Sequence, residues 1–477
     1  MGQIVYLKKC DIFSMKNMLR DQNDTIAAIA TPLGEAGISV IRVSGIRAIE
    51  ITDSVFKGKA SLRGVLSHSI HFGRIADPSE GVIDEVLVSV FKKPHSYTGE
   101  DVVEISCHGS HYVTTKILAT VIGKGARMAD PGEFTQRAFL RGKLDLMQAE
   151  AVADLIHSKT ALAHRASIEQ LNGSLSITIH AIRQKLIDLC SLLELELDFA
   201  EEGIELTDHK RVESIFDETI TDLGILINSY KYGRIIRDGV KAVLAGAPNV
   251  GKSSLLNILL KQNRAIVSDV PGTTRDVIEE AILIEGIAFR LADTAGLRKT
   301  SDLVEQEGVR RSRNQISGAD LVLLLIDSSE IITADGLDII SDVVQRFSDK
   351  VLIVLNKVDI MHPEFSLNSF EACDRISISC ISGQGIDLLT KKMMQQVISN
   401  CDPTSSSVRI QSERHRDLVK KTLTSVIAAR STLLENLSGE FIAVDLRAAL
   451  NYLGEIIGIT TPEDVLHNIF SKFCIGK

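Results

Sequence analysis

The stretch "GAPNVGKSS" (Gly246 to Ser254) constrains this chain more than any other. It follows the apolar run "VKAVLA" and leads into "LLNILL". The spacing G-x-x-x-x-G-K-[ST] between a strand and a helix marks a loop whose backbone N–H groups converge on phosphate oxygens at a helix N-terminus. That loop belongs at the carboxyl edge of a parallel sheet with helices on both faces. The surroundings supply one. "VKAVLAG", "IAFRLAD", "DLVLLLID", "KVLIVLN" and "RISISC" are apolar runs separated by helical patterns from Val240 to about Asn400. Lys252 is expected to bridge the β- and γ-phosphates, and the Ser253 hydroxyl to ligate Mg2+.

Three further motifs fall in order behind the loop. "DTAG" (Asp293 to Gly296) ends one strand. Asp293 can hold Mg2+ through water, and the Gly296 N–H can sense the γ-phosphate. "PGTTRD" lies between, with Thr274 as the second Mg2+ ligand. "NKVD" (Asn356 to Asp359) ends another strand. The Asp359 carboxylate accepts from the ring N–H and the amino group of guanine. Adenine offers neither donor there, so a buried acceptor rejects it by on the order of 10⁴–10⁵. "SCISGQG" (Ser379 to Gly385) contacts the base from the other side. The expected GTP contacts are therefore Asn249, Val250, Gly251, Lys252, Ser253 and Ser254 in the phosphate loop. Ser268, Asp269, Val270, Pro271, Gly272, Thr273 and Thr274 follow, then Asp293, Thr294, Ala295 and Gly296. Asn356, Lys357, Val358, Asp359, Ser379, Cys380 and Ile381 surround the base.

Hydrolysis needs an oriented water. Small regulatory GTPases place a glutamine after the D-x-x-G glycine. Here Leu297 occupies that position and cannot polarise water. Glu305, a few residues on, is the candidate catalytic residue. No arginine finger is assigned. Asn249 offers a side-chain oxygen beside the phosphates, where an amide can help hold a monovalent cation in place of an arginine.

The rest of the chain has a different rhythm. From Asn23 to about Gly142, β-branched runs ("GISVIRVSG", "VIDEVLVSVF", "EDVVEISCHG") and the helix "HYVTTKILATVIGKG" predict an α+β domain. From Lys143 to Arg237 the period is helical. Ile182, Leu186, Leu189, Leu193 and Leu197 share one face. Helical periodicity returns after the polar linker "NCDPTSSS" and runs to the end, with Thr461 expected to cap a last helix begun at Pro462. The two helical stretches are expected to pack as one domain that the α/β domain interrupts. The boundaries are 1–22 (an extension of doubtful status, with Met15 or Met18 as alternative starts), 23–142, 143–237, 238–399 and 400–477.

Composition narrows the class. The chain has 477 residues, 44% apolar and 24% charged, with no apolar run of the ~18 residues a spanning helix needs. The formal charge of −9 argues against coating nucleic acid unaided. The clusters Arg310 to Arg313 and Ser412 to Arg416 are expected to be solvated helix faces. Seven cysteines without a C-x-x-C pair point to a reduced, cytoplasmic chain. Cys107, His108 and His111 lie close together, but three ligands without a fourth make a poor metal site. The terminal "SKFCIGK" is not a prenylation box, because Lys477 is no accepted last residue. Cys474 is left with two readings, a docked structural thiol or a group reaching an active site.

"DTIAAIATP", "SYTGEDVVE", "ARMADPGEFTQRAFLRGKLDLMQAEAVADLI", "GAPNVGKSSLLN", "VPGTTRD", "DTAGLR" and "FCIGK" together resemble the MnmE (TrmE) family of bacterial and organellar tRNA-modification GTPases, from Asn23 to the end. The resemblance implies a homodimer formed by a folate-binding N-terminal domain. It implies an FAD-containing partner, MnmG (GidA), and tRNA as substrate. The reaction is installation of an aminomethyl-type group on C5 of the wobble uridine. The carbon comes from a reduced folate such as 5-formyl-tetrahydrofolate, and the nitrogen from glycine or ammonia. It also implies GTPase heads that meet across a gap with GTP and K+ bound. Carried over by motif, Arg42, Glu104, Lys143 and Lys477 contact folate. Asn249, Ser268, Val270 and Thr273 hold K+, Ser253 and Thr274 hold Mg2+, and Glu305 is the catalytic glutamate. The chain departs at Cys107, often glycine, and at Val250, often alanine. The rival class is a ribosome-assembly GTPase, a timed binding module that usually carries a basic RNA-binding domain of which this acidic chain gives no sign. A signalling scaffold with incidental GTPase activity is a third reading. Folate binding separates the first from both.

Overall fold

The computed structural model describes residues 24–199, 209–262, 280–293, 315–366, 370, 373–399, 408–435 and 438–477. The expected extension 1–22 and the linker 400–407 lie outside them. The described residues fall into two compact units, one within Met1–Ala153, Gln170–Asp217 and Lys421–Lys477, the other within Asp154–Glu169 and Glu218–Lys420. The architecture is multidomain: an α+β N-terminal domain, a helical domain and an inserted α/β P-loop GTPase domain.

In the first unit the strands are β1 (Thr25–Ile29), β2 (Ala36–Gly45), β3 (Phe56–Gly58), β4 (Ser69–Asp77), β5 (Gly81–Phe91), β6 (Val102–Gly109) and β7 (Arg127–Met128). They form one sheet in the order β3-β4-β5-β6-β2-β1-β7. Pairing is antiparallel except between β1 and β7. Alternate residues such as Ile41, Val43, Val88, Val90, Val103 and Ile105 bury one face against helices Ala48–Val55 and His111–Gly123. The same alternation separates Cys107 from His108. Cys107 is buried with its Sγ 3.5 Å from the Ser39 carbonyl, whereas the exposed His108 ring bonds Asp84 at 2.8 Å.

Helix Ser174–Phe199 buries Ile182, Leu186, Leu189 and Leu193 as their spacing predicts, and packs on helix Gly439–Ile457. The side chain of Leu197 lies outside the described residues. Arg430, on helix Glu413–Leu434, ion-pairs with Asp217 at 2.7 Å and Glu213 at 3.3 Å on helix His209–Asp238. Helical segments from both sides of the GTPase insertion thus pack together. The last helix, Glu463–Phe470, corrects the expected cap. Pro462 occupies the N-cap, and the Thr461 hydroxyl donates instead to the Glu455 carbonyl at 2.8 Å, tying the preceding loop to its neighbour. Leu466 and Phe470 are its buried side chains, and with Phe473 just beyond it they pack with Phe139 and Leu146.

In the second unit the strands are β8 (Val240–Gly246), β9 (Glu280–Ile284), β10 (Ile287–Asp293), β11 (Leu321–Asp327), β12 (Val351–Asn356) and β13 (Arg375–Ser377), in the order β13-β12-β11-β8-β10-β9. All neighbours are parallel except β9 and β10. Both faces are dry, which is why the strands read as unbroken apolar runs. Ala242, Leu244, Leu323 and Leu352 join one core, and Val243, Ala245, Leu324 and Ile353 the other. The expected strand "RISISC" is shorter than predicted: Ile378 still donates its N–H to the Leu355 carbonyl at 2.7 Å, and the residues from Ser379 on form a loop.

A buried ionic cluster organises the first unit. Arg137, about 5% exposed, reaches Asp24 at 2.6 Å, Glu133 at 2.9 Å and Glu100 at 3.2 Å. Arg127 bonds Asp24 and Glu133, and Arg141 bonds Glu100. Burial pushes the Glu133 carboxyl up, but Arg127, the Asp130 N–H and Arg137 outweigh it and hold it below its ordinary value of 4.5. A depressed carboxyl contributes stability above its unfolded pKa and loses it as pH falls through the folded value. The unit should therefore weaken below about pH 4.5. Arg137→Ala leaves three carboxylates facing one another, so local stability should fall by about 3–5 kcal/mol. Hydrogen exchange of β1 and of helix Glu133–Leu140 measures it. Unchanged protection there would show that the cluster holds nothing together.

Candidate functional site

The phosphate loop leaves β8 at Gly246 and enters helix Lys252–Gln262. Asn249 has φ 62 and Gly251 φ 100. At Gly251 a Cβ would stand 2.2 Å from Asn356 Nδ2, so only glycine lets strand and loop approach this closely. Lys252 is nearly buried, and its ammonium curls back onto the carbonyls of Gly246 at 3.1 Å and Ala247 at 2.9 Å. Ser253 and Ser254 are exposed in the first helical turn, and Ser253 offers the hard oxygen donor that Mg2+ takes.

Asn356 joins three motifs. Its Nδ2 donates to the Val250 carbonyl at 2.8 Å, and its Oδ1 accepts from the Cys380 N–H at 3.2 Å. Both bonds require the same amide orientation. The strand ends β8, β12 and β13 bring these residues together, at the carboxyl edge where an open α/β sheet binds its ligand. Lys357 follows with φ 65, and Val358–Ile360 form a 3-10 turn that leaves Asp359 exposed. Ser379 is fully buried. Its hydroxyl accepts from the Ser382 N–H at 3.1 Å, and Ile381 projects into solvent. Burial pushes the Cys380 thiol up to about 11, so it is a neutral thiol at physiological pH. Ser268, Asp269, Val270, Pro271, Gly272, Thr273, Thr274, Thr294, Ala295, Gly296 and Glu305 lie outside the described residues, as does the side chain of Asp293.

A second constellation sits on the face of the N-terminal sheet turned away from helices Ala48–Val55 and His111–Gly123. Arg42 on β2 and Glu104 on β6 are register partners, and the guanidinium Nε and Nη2 both lie 2.8 Å from Glu104 Oε1. Its Nη1 donates to the Gly476 carbonyl at 3.1 Å. The rings of Tyr97 and Phe134 stand 5.4 and 5.7 Å from the guanidinium carbon. Burial pushes the Tyr97 phenol up, and its hydroxyl lies 2.8 Å from that of Thr135. The Phe134 N–H, in the first turn of helix Glu133–Leu140, donates to the Lys477 carbonyl oxygen at 3.2 Å. Gly476 has φ 94, and a Cβ there would meet the Ile29 carbonyl at 2.4 Å, so the tail lies flat on the end of β1. Lys143 is exposed and donates to the Pro94 carbonyl at 3.0 Å, on the turn that also carries Tyr97. Cys474 is exposed, and its carbonyl accepts from the Lys477 N–H.

The structure thus brings Arg42, Glu104 and the chain's last residues together and sets Lys143 on the Tyr97 turn. Sequence reasoning missed Tyr97, Phe134 and the Gly476 carbonyl as partners. "SYTGED" and "DPGEF" carry the two rings, but nothing local announces what they surround. It also missed the double bond of Asn356, since the motif reading looked only toward the base.

Asn356→Asp replaces a donor by an acceptor opposite the Val250 carbonyl. The variant should lose about 1–3 kcal/mol of stability in the GTPase domain, read by hydrogen exchange at β8 and β12. GTP affinity should fall with it, and wild-type exchange and affinity would remove the bridge from the account of this site.

Among the described residues no helix is long and apolar enough to cross a membrane, and no group of three metal-ligating side chains occurs. The family profile for the MnmE helical domain matches residues 146–474, and that for the GTP-binding protein TrmE N-terminus matches residues 25–143. A relative from Carboxydothermus hydrogenoformans is 43% identical over 462 residues, spanning 95% of this chain and 99% of its own length. One from Salinibacter ruber is 44% identical over 461 residues, spanning 96% and 100%. Each carries the name tRNA modification GTPase MnmE. With near-complete coverage of both lengths, and the phosphate loop on its sheet edge, the chain belongs to the MnmE family of tRNA modification GTPases.

Proposed function

We propose that this GTPase, with an FAD-dependent MnmG (GidA) partner, adds an aminomethyl or carboxymethylaminomethyl group to C5 of the wobble uridine of certain tRNAs. The carbon comes from a reduced folate such as 5-formyl-tetrahydrofolate. The protein acts as a homodimer in the cytoplasm. The observation that carries this reading is the meeting of Arg42 with Glu104 and with Gly476, a residue 434 positions away. Chain segments so distant converge on one half-buried guanidinium, with the rings of Tyr97 and Phe134 packed against it. A timed binding module does not require such a site. Arg42, Glu104, Lys143 and Lys477 are the proposed folate contacts. Cys474 is a further thiol near that end of the chain.

In the GTPase domain the proposed Mg2+ ligands are Ser253 and Thr274. The K+ site is drawn from the side chain of Asn249 with Ser268, Val270 and Thr273. K+ supplies positive charge beside the phosphates, Lys252 neutralises them and Glu305 orients the attacking water.

The decisive experiment is mass spectrometry of wobble nucleosides from cells lacking this chain. Loss of the C5-modified uridine is expected, and an intact modification profile with immature ribosomal subunits would favour the assembly alternative. GTP turnover should fall sharply when Na+ replaces K+, and equal turnover would discard the cation site. Glu305→Ala should lower kcat by about 10²-fold with GTP affinity retained. Calorimetry with 5-formyl-tetrahydrofolate should show binding that weakens about 10- to 100-fold in Arg42→Ala, the scale of a lost hydrogen bond to a charged group. Absence of any wild-type heat would refute the folate assignment.

A further inference from the structure

The turn after β11, "DSS", has no part in the phosphate or guanine motifs, yet it encloses the "NKVD" segment from behind. Asp327 is the register partner of Asn356. Ser328 donates both its N–H, at 2.9 Å, and its hydroxyl, at 2.7 Å, to the Asn356 carbonyl. The Ser328 carbonyl accepts from the His362 N–H at 2.8 Å, so the turn holds the chain at Asn356 and again at His362, just past the segment. Between these grips Asp327 Oδ2 takes the Lys357 ammonium at 2.5 Å, and its Oδ1 accepts from the N–H and hydroxyl of Ser329 at 2.9 and 2.6 Å. The two charged side chains are 14% and 29% exposed, so the pair is shielded from solvent more than a surface ion pair is. Burial pushes the Asp327 carboxyl up, but Lys357 and Ser329 outweigh it and keep it ionised.

Lys357 is also one of four non-glycine residues with positive φ among those described. A lysine held in the left-handed region is strained, and such strain persists where the surroundings over-determine it. A free lysine stem samples many rotamers, whereas here the ammonium is fixed at one end and the backbone at the other. The stem becomes a rigid wall two residues before Asp359.

We propose that Asp327 is a positioning residue for nucleotide retention: by holding the Lys357 ammonium it sets the Lys357 stem as a fixed wall beside the guanine that Asp359 recognises. This rests on the guanine reading of Asp359. Asp327 touches neither base nor phosphate and acts through Lys357 alone.

The test is stopped-flow release of a fluorescent GDP from the full-length protein, with steady-state GTP turnover alongside. Asp327→Asn should speed release roughly tenfold and raise KM to match, with kcat changed less than about twofold, since interface and site changes act mainly on dissociation. Asp327→Glu, which keeps the charge, should return release to within about threefold of wild type. Lys357→Ala should speed release too, and the double variant Asp327→Asn, Lys357→Ala should be no faster than Lys357→Ala alone. Release at the wild-type rate in Asp327→Asn, or additive effects in the double variant, overturns the inference. If Asp327→Asn melts early, Ser329→Ala, which removes a bond that orients the Asp327 carboxylate toward Lys357, should still speed release, and wild-type release there counts against the proposal. A wild type that retains the GDP probe no better than an ADP probe overturns the guanine reading itself, and this inference with it.

Discussion

The N-terminal unit depends on Arg137. A guanidinium this buried turns its two terminal nitrogens to carboxylates, and it finds three, from residues 24, 100 and 133. Arg127 and Arg141 balance the charge, and Ser44 donates to Glu100 at 2.8 Å to complete that carboxylate. Removing one member of such a cluster uncovers charge in a poorly hydrated place, so the parts hold as a set. The consequence is geometric. The cluster pins the start of β1, the turn after Thr98 and helix Glu133–Leu140 to one another. That helix then presents the Phe134 N–H to the chain's last residue and the Phe134 ring to Arg42. The tail finds its place because charges that never touch it have fixed its receptor.

The GTPase domain reaches the same precision by other means. Its sheet has two dry faces, and apolar packing sets the strand ends in line. Polar side chains then join the loops that leave those ends. Asn356 ties the phosphate loop to the loop of Ser379–Ile381, and Ser328 ties its own turn to the Asn356 carbonyl. Gly251 is required because this joint is tight, and a single methyl group would enter the Asn356 amide.

Some of the fold was legible because its causes are local. The phosphate loop, the central strands of the second sheet and the face of helix Ser174–Phe199 follow from spacing and periodicity alone. β9 escaped notice because its hairpin turns on Glu285 and Gly286, with φ 47 and 85, and a glutamate is a poor signal for a turn that wants asparagine or glycine. Thr461 looked like a helix cap because capping residues are recognised by type, but a competing carbonyl six residues earlier took its hydroxyl.

By itself the sequence determined that a phosphate-binding loop sits between a strand and a helix, that guanine-type motifs follow it in order, and that helices flank the insertion. Each of these is written in residues a few positions apart, where backbone geometry and periodicity act directly. Only the tertiary structure decided what Arg42 does with its guanidinium, which loops Asn356 joins and where the last residues lie. Those are hydrogen bonds across 62, 106 and 434 positions of chain. A donor's type says that it needs a partner, but which partner comes within 3 Å depends on how each sheet packs with its own helices and loops, and no local pattern encodes that distance.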